Sequence, residues 1–441
     1  MGENTRDSGL VRAVGPWVFA ASIVNTVVGA GIFAAPAALA ATVGPYAPVA
    51  FLVCAIAIGA IAICFAEGGS RVPTSGGAYG YIETAFGPLA GYVAGTMLWV
   101  SDLLACGGIA AALGDVAASL AAPEWRVAVR SAVVVVAIGG IAAINVRGVR
   151  QGARLVAGAA LAKLAPLVVF VLVGAFFIDA SHFSGATPAA DGEIGRALIL
   201  ALFTFTGMET ALCASGEVAQ PSRTIPRAIG IAMISLALLY ICVQIVAQGV
   251  LGAGLATSTA PLADAMARVS PVLRVLMLAG AAVSMLGWIS GDILATPRML
   301  FAFARDGLMP RVLGRVHAKS HTPHIAIWCY AATATVLALT GTFAELAVAA
   351  TLLVAVPYAG GCAAAWLLSR RGVALEGKPL GFRWIGVVAA IGIASMVGVV
   401  ALAARGEIIG LFAVVALAAV LYVVGARVAA ARARVADSLT A

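Results

Sequence analysis

Twelve apolar runs, each near the ~20 residues that cross a hydrocarbon core, follow one another through this chain with only short polar connections between them. They fall at about 14–41, 45–67, 87–120, 127–146, 153–178, 194–219, 226–251, 272–303, 323–341, 344–369, 383–404 and 407–426. The third and eighth are long, which implies tilt or an interfacial extension. Over 441 residues the sequence is 62% hydrophobic and 10% charged. That composition excludes a soluble domain and implies an all-α polytopic membrane protein. All seven cysteines (54, 64, 106, 213, 242, 329, 362) lie in apolar runs without metal-ligand spacing and read as small buried hydrophobes. The polar first dozen residues lack a cleavable signal, so the first span is expected to direct insertion.

Charge placement sets the topology. Of 27 Lys and Arg, twenty lie on the N-terminal side of the membrane, six (Arg126, Arg130, Arg196, Arg268, Arg274, Arg405) on the other, and Lys163 remains inside a span. The positive-inside rule then places both termini in the cytoplasm and the chain, as a multi-pass protein, in the cell membrane. The net charge of +8 is accordingly a topology signal; nucleic-acid binding is not expected, because no domain carries the basic residues. His317, His321 and His324 sit in a polar loop without a carboxylate or cysteine to complete a metal site.

The expected organisation is a cytoplasmic N-terminus (1–13), spans 1–5 (14–178), spans 6–10 (194–369), spans 11 and 12 (383–426) and a cytoplasmic C-terminus (427–441). Groups of five spans have odd parity, so the second enters from the opposite side: a 5+5 inverted repeat. Spans 1 and 6 open the two groups, and both are interrupted by glycine. The first reads Val28-Gly29-Ala30-Gly31-Ile32-Phe33 and the sixth Phe203-Thr204-Phe205-Thr206-Gly207-Met208-Glu209. Broken helices survive in a membrane only where they line a cavity or are buried in protein, and a matched pair points to a substrate site. Close packing of small residues is the competing reading; the matched positions favour the site. Unwinding at 29–31 frees amides at the start of a half-helix, suited to a carboxylate. At 203–207 freed carbonyls suit an ammonium, and Thr204 and Thr206 add hydroxyls. A ligand with both groups is an α-amino acid.

These stretches resemble motifs of the amino acid–polyamine–organocation (APC) transporter superfamily. So do Arg305-Asp306-Gly307-Leu308-Met309-Pro310 and Pro73-Thr74-Ser75-Gly76-Gly77-Ala78-Tyr79 with Phe86-Gly87. The pattern is similar to its bacterial amino acid transporters, among them the arginine/agmatine antiporter and proton-coupled broad-specificity members. The resemblance implies twelve spans with discontinuous helices 1 and 6 and alternating access by rocking one bundle against a scaffold. It further implies that Val28, Gly29, Ala30 and Gly31 hold the substrate carboxylate, and that Phe203, Thr204, Phe205, Thr206 and Gly207 hold the amine. Phe203 would be the gate. The family often has Ser where this chain has Ala30, so only backbone amides remain for that contact.

Lys163 sits ten residues inside span 5. An intramembrane lysine costs at least ~2.5–3.5 kcal/mol, and at 1.5 Å rise the nearer interface is ~15 Å away, too far to snorkel comfortably. Proton-coupled, sodium-independent relatives have a lysine there, which implies that it braces span 5 against the span 1 break and span 8; its burial would also let it give up its proton during the cycle. Glu209 is expected to hold the second break or the external-gate network, rather than to carry protons directly. Asp292 in span 8 either neutralises Lys163, the favoured reading, or meets a cationic substrate group. Asp102 in span 3 has a packing or a substrate role.

The resulting expectation is a sodium-independent amino acid transporter using proton symport or exchange, with no cofactor. The alternatives are an arginine/agmatine or polyamine exchanger and a non-transporting receptor on the same fold. An enzyme is not expected, since no nucleophile–base cluster is in register. Oligomeric state is not legible.

Overall fold

A computed structural model describes the chain except residues 1–11, 13, 75, 148, 185–190, 214, 306–308, 318–319, 321 and 441; for 149–161, 191–193, 305 and 428–440 it describes the backbone alone. Apart from one isolated bridge, Val14 to Val218, its regular structure is helical. In order, the helices are α1 (Pro16–Val27), α2 (Gly31–Val43), α3 (Ala47–Arg71), α4 (Ala78–Phe86), α5 (Pro88–Ser119), α6 (Arg126–Arg147), α7 (Val149–Gly174), α8 (Asp191–Phe203) and α9 (Met208–Leu212). They continue as α10 (Pro221–Leu251), α11 (Pro261–Ala267), α12 (Pro271–Ala295), α13 (Pro297–Arg305), α14 (His324–Thr340), α15 (Phe343–Arg370), α16 (Ile385–Ala401) and α17 (Arg405–Thr440).

Eight helical stretches among the described residues are long and apolar enough to cross a membrane, and four shorter apolar helices (Pro16–Val27, Ala162–Phe177, His324–Thr340, Ile385–Ala401) accompany them. Several helix starts follow familiar chemistry. Pro88, Pro221, Pro261, Pro271 and Pro297 begin helices, where the missing N–H costs nothing. Thr342 and Glu345 close a capping box at the start of α15.

One expectation is refined. The long eighth run is two helices: α12 stops at Ala295, and Pro297 opens the separate α13. A proline amide cannot continue the hydrogen-bond series, so the run divides there. In α13, Leu300 is buried and Phe303 packs on the Tyr92 ring at 4.9 Å, which holds this short helix against the bundle. Residues 306–308 of the Arg305–Pro310 motif lie outside the described residues, as does Ser75.

Helix α5 runs through the middle, packed against α15, α6, α14 and α12, while α3 pairs with α10 and α1 lies on α10. Close approach of α7 and α12 depends on Gly280, where an added Cβ would fall 2.5 Å from the Pro166 ring. That contact fixes α7 beside α12, three residues along from Lys163.

Candidate functional site

Both breaks exist, and they abut. Helix α1 ends at Val27, residues 28–30 cross without helix, and α2 begins at Gly31. Val28 is extended, with φ −75° and ψ 99°. Helix α8 ends at Phe203 and α9 starts at Met208, with Gly207 at φ +114°, a conformation open to glycine at little cost. A Cβ on Gly207 would lie 2.5 Å from the Thr26 carbonyl oxygen, and one on Gly31 would lie 3.0 Å from Thr204 Cα. Only glycine allows the two breaks to meet this closely.

Breaking α1 leaves carbonyls without helical partners, and three side chains answer them. Lys163 Nζ donates to Asn25 O at 2.6 Å and Val28 O at 2.9 Å. The indole Nε1–H of Trp288 donates to Thr26 O at 2.6 Å. Ser284 Oγ–H is shared between Gly29 O (3.2 Å) and Val28 O (3.4 Å). Lys163 is fully buried, so these carbonyl dipoles supply the solvation that burial removes. Amides at the start of α2 keep no intrahelical acceptor, as at any helix N-terminus, and Gly29, Ala30 and Gly31 line the cavity there.

At the second break the backbone tightens into successive three-residue turns: the amides of Thr204, Phe205 and Thr206 donate to Ala201, Leu202 and Phe203. The hydroxyls expected to face a ligand donate instead to their own helix, Thr204 to Ala201 O (2.6 Å) and Thr206 to Phe203 O (2.8 Å). Buried Glu209 accepts from the Gly207 amide at 3.0 Å, and Tyr358 OH donates to the same carboxylate oxygen. A carboxylate at the first turn of α9 thus caps the break from within the chain.

Favoured from sequence, an ion pair between Lys163 and Asp292 is not formed. Asp292 accepts from Tyr330 OH (2.6 Å) and Thr296 Oγ1 (2.7 Å). The reason is geometric: the α1 break offers Lys163 two carbonyls closer than any acid. Thr296 Oγ1 also lies 3.2 Å from Asp102 Oδ2, so one hydroxyl bridges the two buried acids.

A cavity of about 20 Å³ is lined by Gly29, Ala30, Gly31, Asp102, Phe203, Thr204, Thr206, Gly207 and Glu209, with Val27, Ser101, Ala105, Ile109 and Trp288. Of the sequence candidates, Val28, Phe205, Lys163 and Asp292 do not line it. The Phe205 ring turns away to pack on Tyr240 (5.1 Å) and Phe51 (6.1 Å). Phe203 meets Phe343 edge to face at 5.8 Å. Beyond that pair is a vestibule of about 200 Å³ lined by Phe33, Asp115, Ser119, Met285 and Phe343. On the opposite side main-chain hydrogen bonds join separate segments: Val14 N–H donates to Glu217 O (3.1 Å), Ala219 N–H to Val14 O (3.0 Å), and Gly76 N–H to Cys213 O (3.2 Å).

Sequence reasoning missed Ser284 and Trp288 as partners of the first break. Their signal was a spacing: Ser284, Trp288 and Asp292 fall at i, i+4 and i+8 on one face of an apolar helix.

A bundle of apolar helices closed around two broken ones is the arrangement of a multi-pass membrane protein. The amino acid permease family model matches residues 14–426, and the chain belongs to that family of the APC superfamily. Similar proteins include the serine/threonine exchanger SteT of Bacillus subtilis (strain 168), 28% identical over 74% of this chain and 76% of that protein. The branched-chain amino acid permease BcaP of the same organism is 25% identical over 77% and 76%. An uncharacterized transporter of Mycobacterium tuberculosis (strain ATCC 25618 / H37Rv) is 33% identical over 72% and 71%. Such relatives are transporters and permeases, not enzymes.

Proposed function

We propose that the chain is a sodium-independent secondary transporter of small α-amino acids, working by alternating access with proton symport or amino acid exchange. Twelve spans, arranged as a 5+5 inverted repeat plus two, would place the breaks at the membrane midplane with both termini in the cytoplasm. The observation that carries this reading is the meeting of an amide-bearing helix start at 29–31 with the carbonyl-bearing turn at 203–207 around one cavity. The substrate carboxylate would take the 29–31 amides and its ammonium the carbonyls of 204–206. Ala105, Ile109 and Trp288 close the remaining wall, which suits a short side chain. Opening of the Phe203–Phe343 contact would admit it.

Lys163 holds the first break, and the family resemblance implies that sodium-coupled relatives place a cation there, which supports sodium independence. Coupling to protons is supported by the acid cluster. Thr296 has one hydroxyl hydrogen and two carboxyls to serve, so full pairing of both bonds requires a proton on one acid. Asp102 borders the cavity, and a substrate hydroxyl or ammonium reaching it would disturb that shared proton. The same position supports a second reading, an arginine/agmatine or polyamine exchanger, in which Asp102 meets a second cationic group.

Uptake of a labelled amino-acid panel into proteoliposomes, with and without an inward proton gradient, tests the proposal. Accumulation that follows the gradient or internal substrate is expected, unchanged when choline replaces sodium. Loss of uptake in choline would overturn the role given to Lys163, and no uptake of any amino acid would favour a receptor. Competition by putrescine or agmatine would select the second reading.

A further inference from the structure

On the far side of α3 and α10 from the broken helices, an open apolar groove of about 590 Å³ runs between α3, α10 and α16. That is within the ~300–1,000 Å³ usual for ligand sites. Its walls come from residues such as Ile58, Ala62, Ile229, Met233, Val388 and Ile391. Ile56 and Ile234, which also border it, are largely exposed, so it faces the surrounding hydrocarbon. Gly59 and Gly230 lie in its walls, and a Cβ added at either would meet nothing within 4 Å. The groove is therefore unfilled space and not a tight helix contact.

One end is charged. Leu380 and Phe382 border the groove from the loop between α15 and α16, and Pro226 borders it from the first turns of α10. Arg223 stands three residues before Pro226 and seven before Gly230, on the same face of α10, and Arg227 follows Pro226 directly. The loop is pressed onto this helix start: a Cβ on Gly377 would lie 2.7 Å from Ser222 Oγ. Lys378 and Arg383, flanking Leu380 and Phe382, are thereby brought to the same rim. All four cations are exposed, and none forms an ion pair with a described carboxylate. The two neighbouring acids are already engaged, Glu376 by Arg12 and Glu67 by Arg71 and the Phe382 amide. Trp384, exposed and with Arg383 over its ring at 5.6 Å, marks the headgroup level.

We propose that this groove is a binding site for an anionic phospholipid, its acyl chain along α3 and α10 and its phosphate on Arg223, Arg227, Lys378 and Arg383. Apolar walls alone would take any lipid; the cationic rim selects the anionic one. The inference requires only that the chain is embedded in a membrane and is independent of what it transports.

The test uses the full chain purified in detergent, with dioleoyl phosphatidylglycerol or dioleoyl phosphatidylcholine added, read by native mass spectrometry and melting temperature. Phosphatidylglycerol is expected to be retained and to raise Tm more than phosphatidylcholine does. Each basic residue near an anionic lipid contributes about fivefold in affinity. The quadruple variant R223Q/R227Q/K378Q/R383Q should therefore lose the preference by well over tenfold. Single Arg223→Gln and Lys378→Gln variants provide the same reading if the quadruple one fails to fold. Filling the groove with Gly230→Leu and Gly59→Leu should reduce retention of both lipids, while Arg126→Gln and Arg405→Gln, away from the rim, should change nothing. Equal retention of the two lipids, or an undiminished preference in the quadruple variant, would overturn the proposal. So would a groove-filled variant that keeps its lipid but converts a dimer to a monomer, which would make the groove an interface between copies.

Discussion

Lys163 illustrates what a single residue does here. Its ammonium is held by two main-chain carbonyls of a neighbouring helix and by no acid, so it works as a strut for the α1 break. Replacing it by Ala leaves Asn25 O without its donor, at ~1–3 kcal/mol for the buried orphan, and leaves Val28 O with only the long bond from Ser284. Lys163→Ala should lower the melting temperature of the purified protein and abolish gradient-driven accumulation in proteoliposomes. Full accumulation by the variant would remove its coupling role. Trp288→Phe is a narrower cut: an aromatic ring is kept, the pyrrole half and its bond to Thr26 O go, and a loss of ~1–3 kcal/mol is expected. Chemical denaturation followed by tyrosine and tryptophan fluorescence of the two proteins would measure it. The partner of Lys163 was not legible in the sequence. Charge neutralisation pointed to Asp292, whereas the freed carbonyls needed knowledge of which helix end lies across from residue 163. Two long-range contacts, Pro166 on Gly280 and Lys163 on α1, decide that, and neither leaves a local pattern.

At the scale of helices, the breaks were legible because glycine in an apolar run is conspicuous, and both fall within the expected stretches. Their contact was not, because it depends on where a missing Cβ would fall. Gly207→Ala combines a left-handed φ, costing ~1–3 kcal/mol, with a Cβ placed 2.5 Å from the Thr26 oxygen. That variant should lose transport and melt several degrees lower. Gly398→Ala in α16, whose new methyl meets nothing within 4 Å, should stay within ~1 kcal/mol of the parent. Equal behaviour of the two would mean that the breaks do not need their close approach. Helix α13 was legible only as an extension of the eighth run: its apolar residues prolonged the hydropathy of α12, and the proline at 297 separates the two.

For the whole molecule, two kinds of closure flank the central cavity. On one side, main-chain hydrogen bonds join residue 14 to 217–219 and residue 76 to 213; on the other, one edge-to-face pair, Phe203 on Phe343, separates cavity from vestibule. A cysteine pair at Val14→Cys and Val218→Cys, placed on the bridged residues, should stop transport when oxidised and restore it under reductant. Transport that continues with the pair fully cross-linked would show that this end does not open in the cycle. Aromatic pairs of this type contribute only ~0.5–1.5 kcal/mol beyond their buried area, less than three main-chain hydrogen bonds together at ~0.5–1.5 kcal/mol each. Under the alternating access proposed above, the unloaded protein would be a lopsided turnstile whose weaker latch is the phenylalanine pair. Solute arriving from the vestibule side would then meet the more readily opened end, while solute from the other side would wait on a rarer opening and be taxed in apparent affinity by that rarity. Half-saturation should accordingly come at lower concentration from the vestibule side, a directional bias set by how the two ends are fastened.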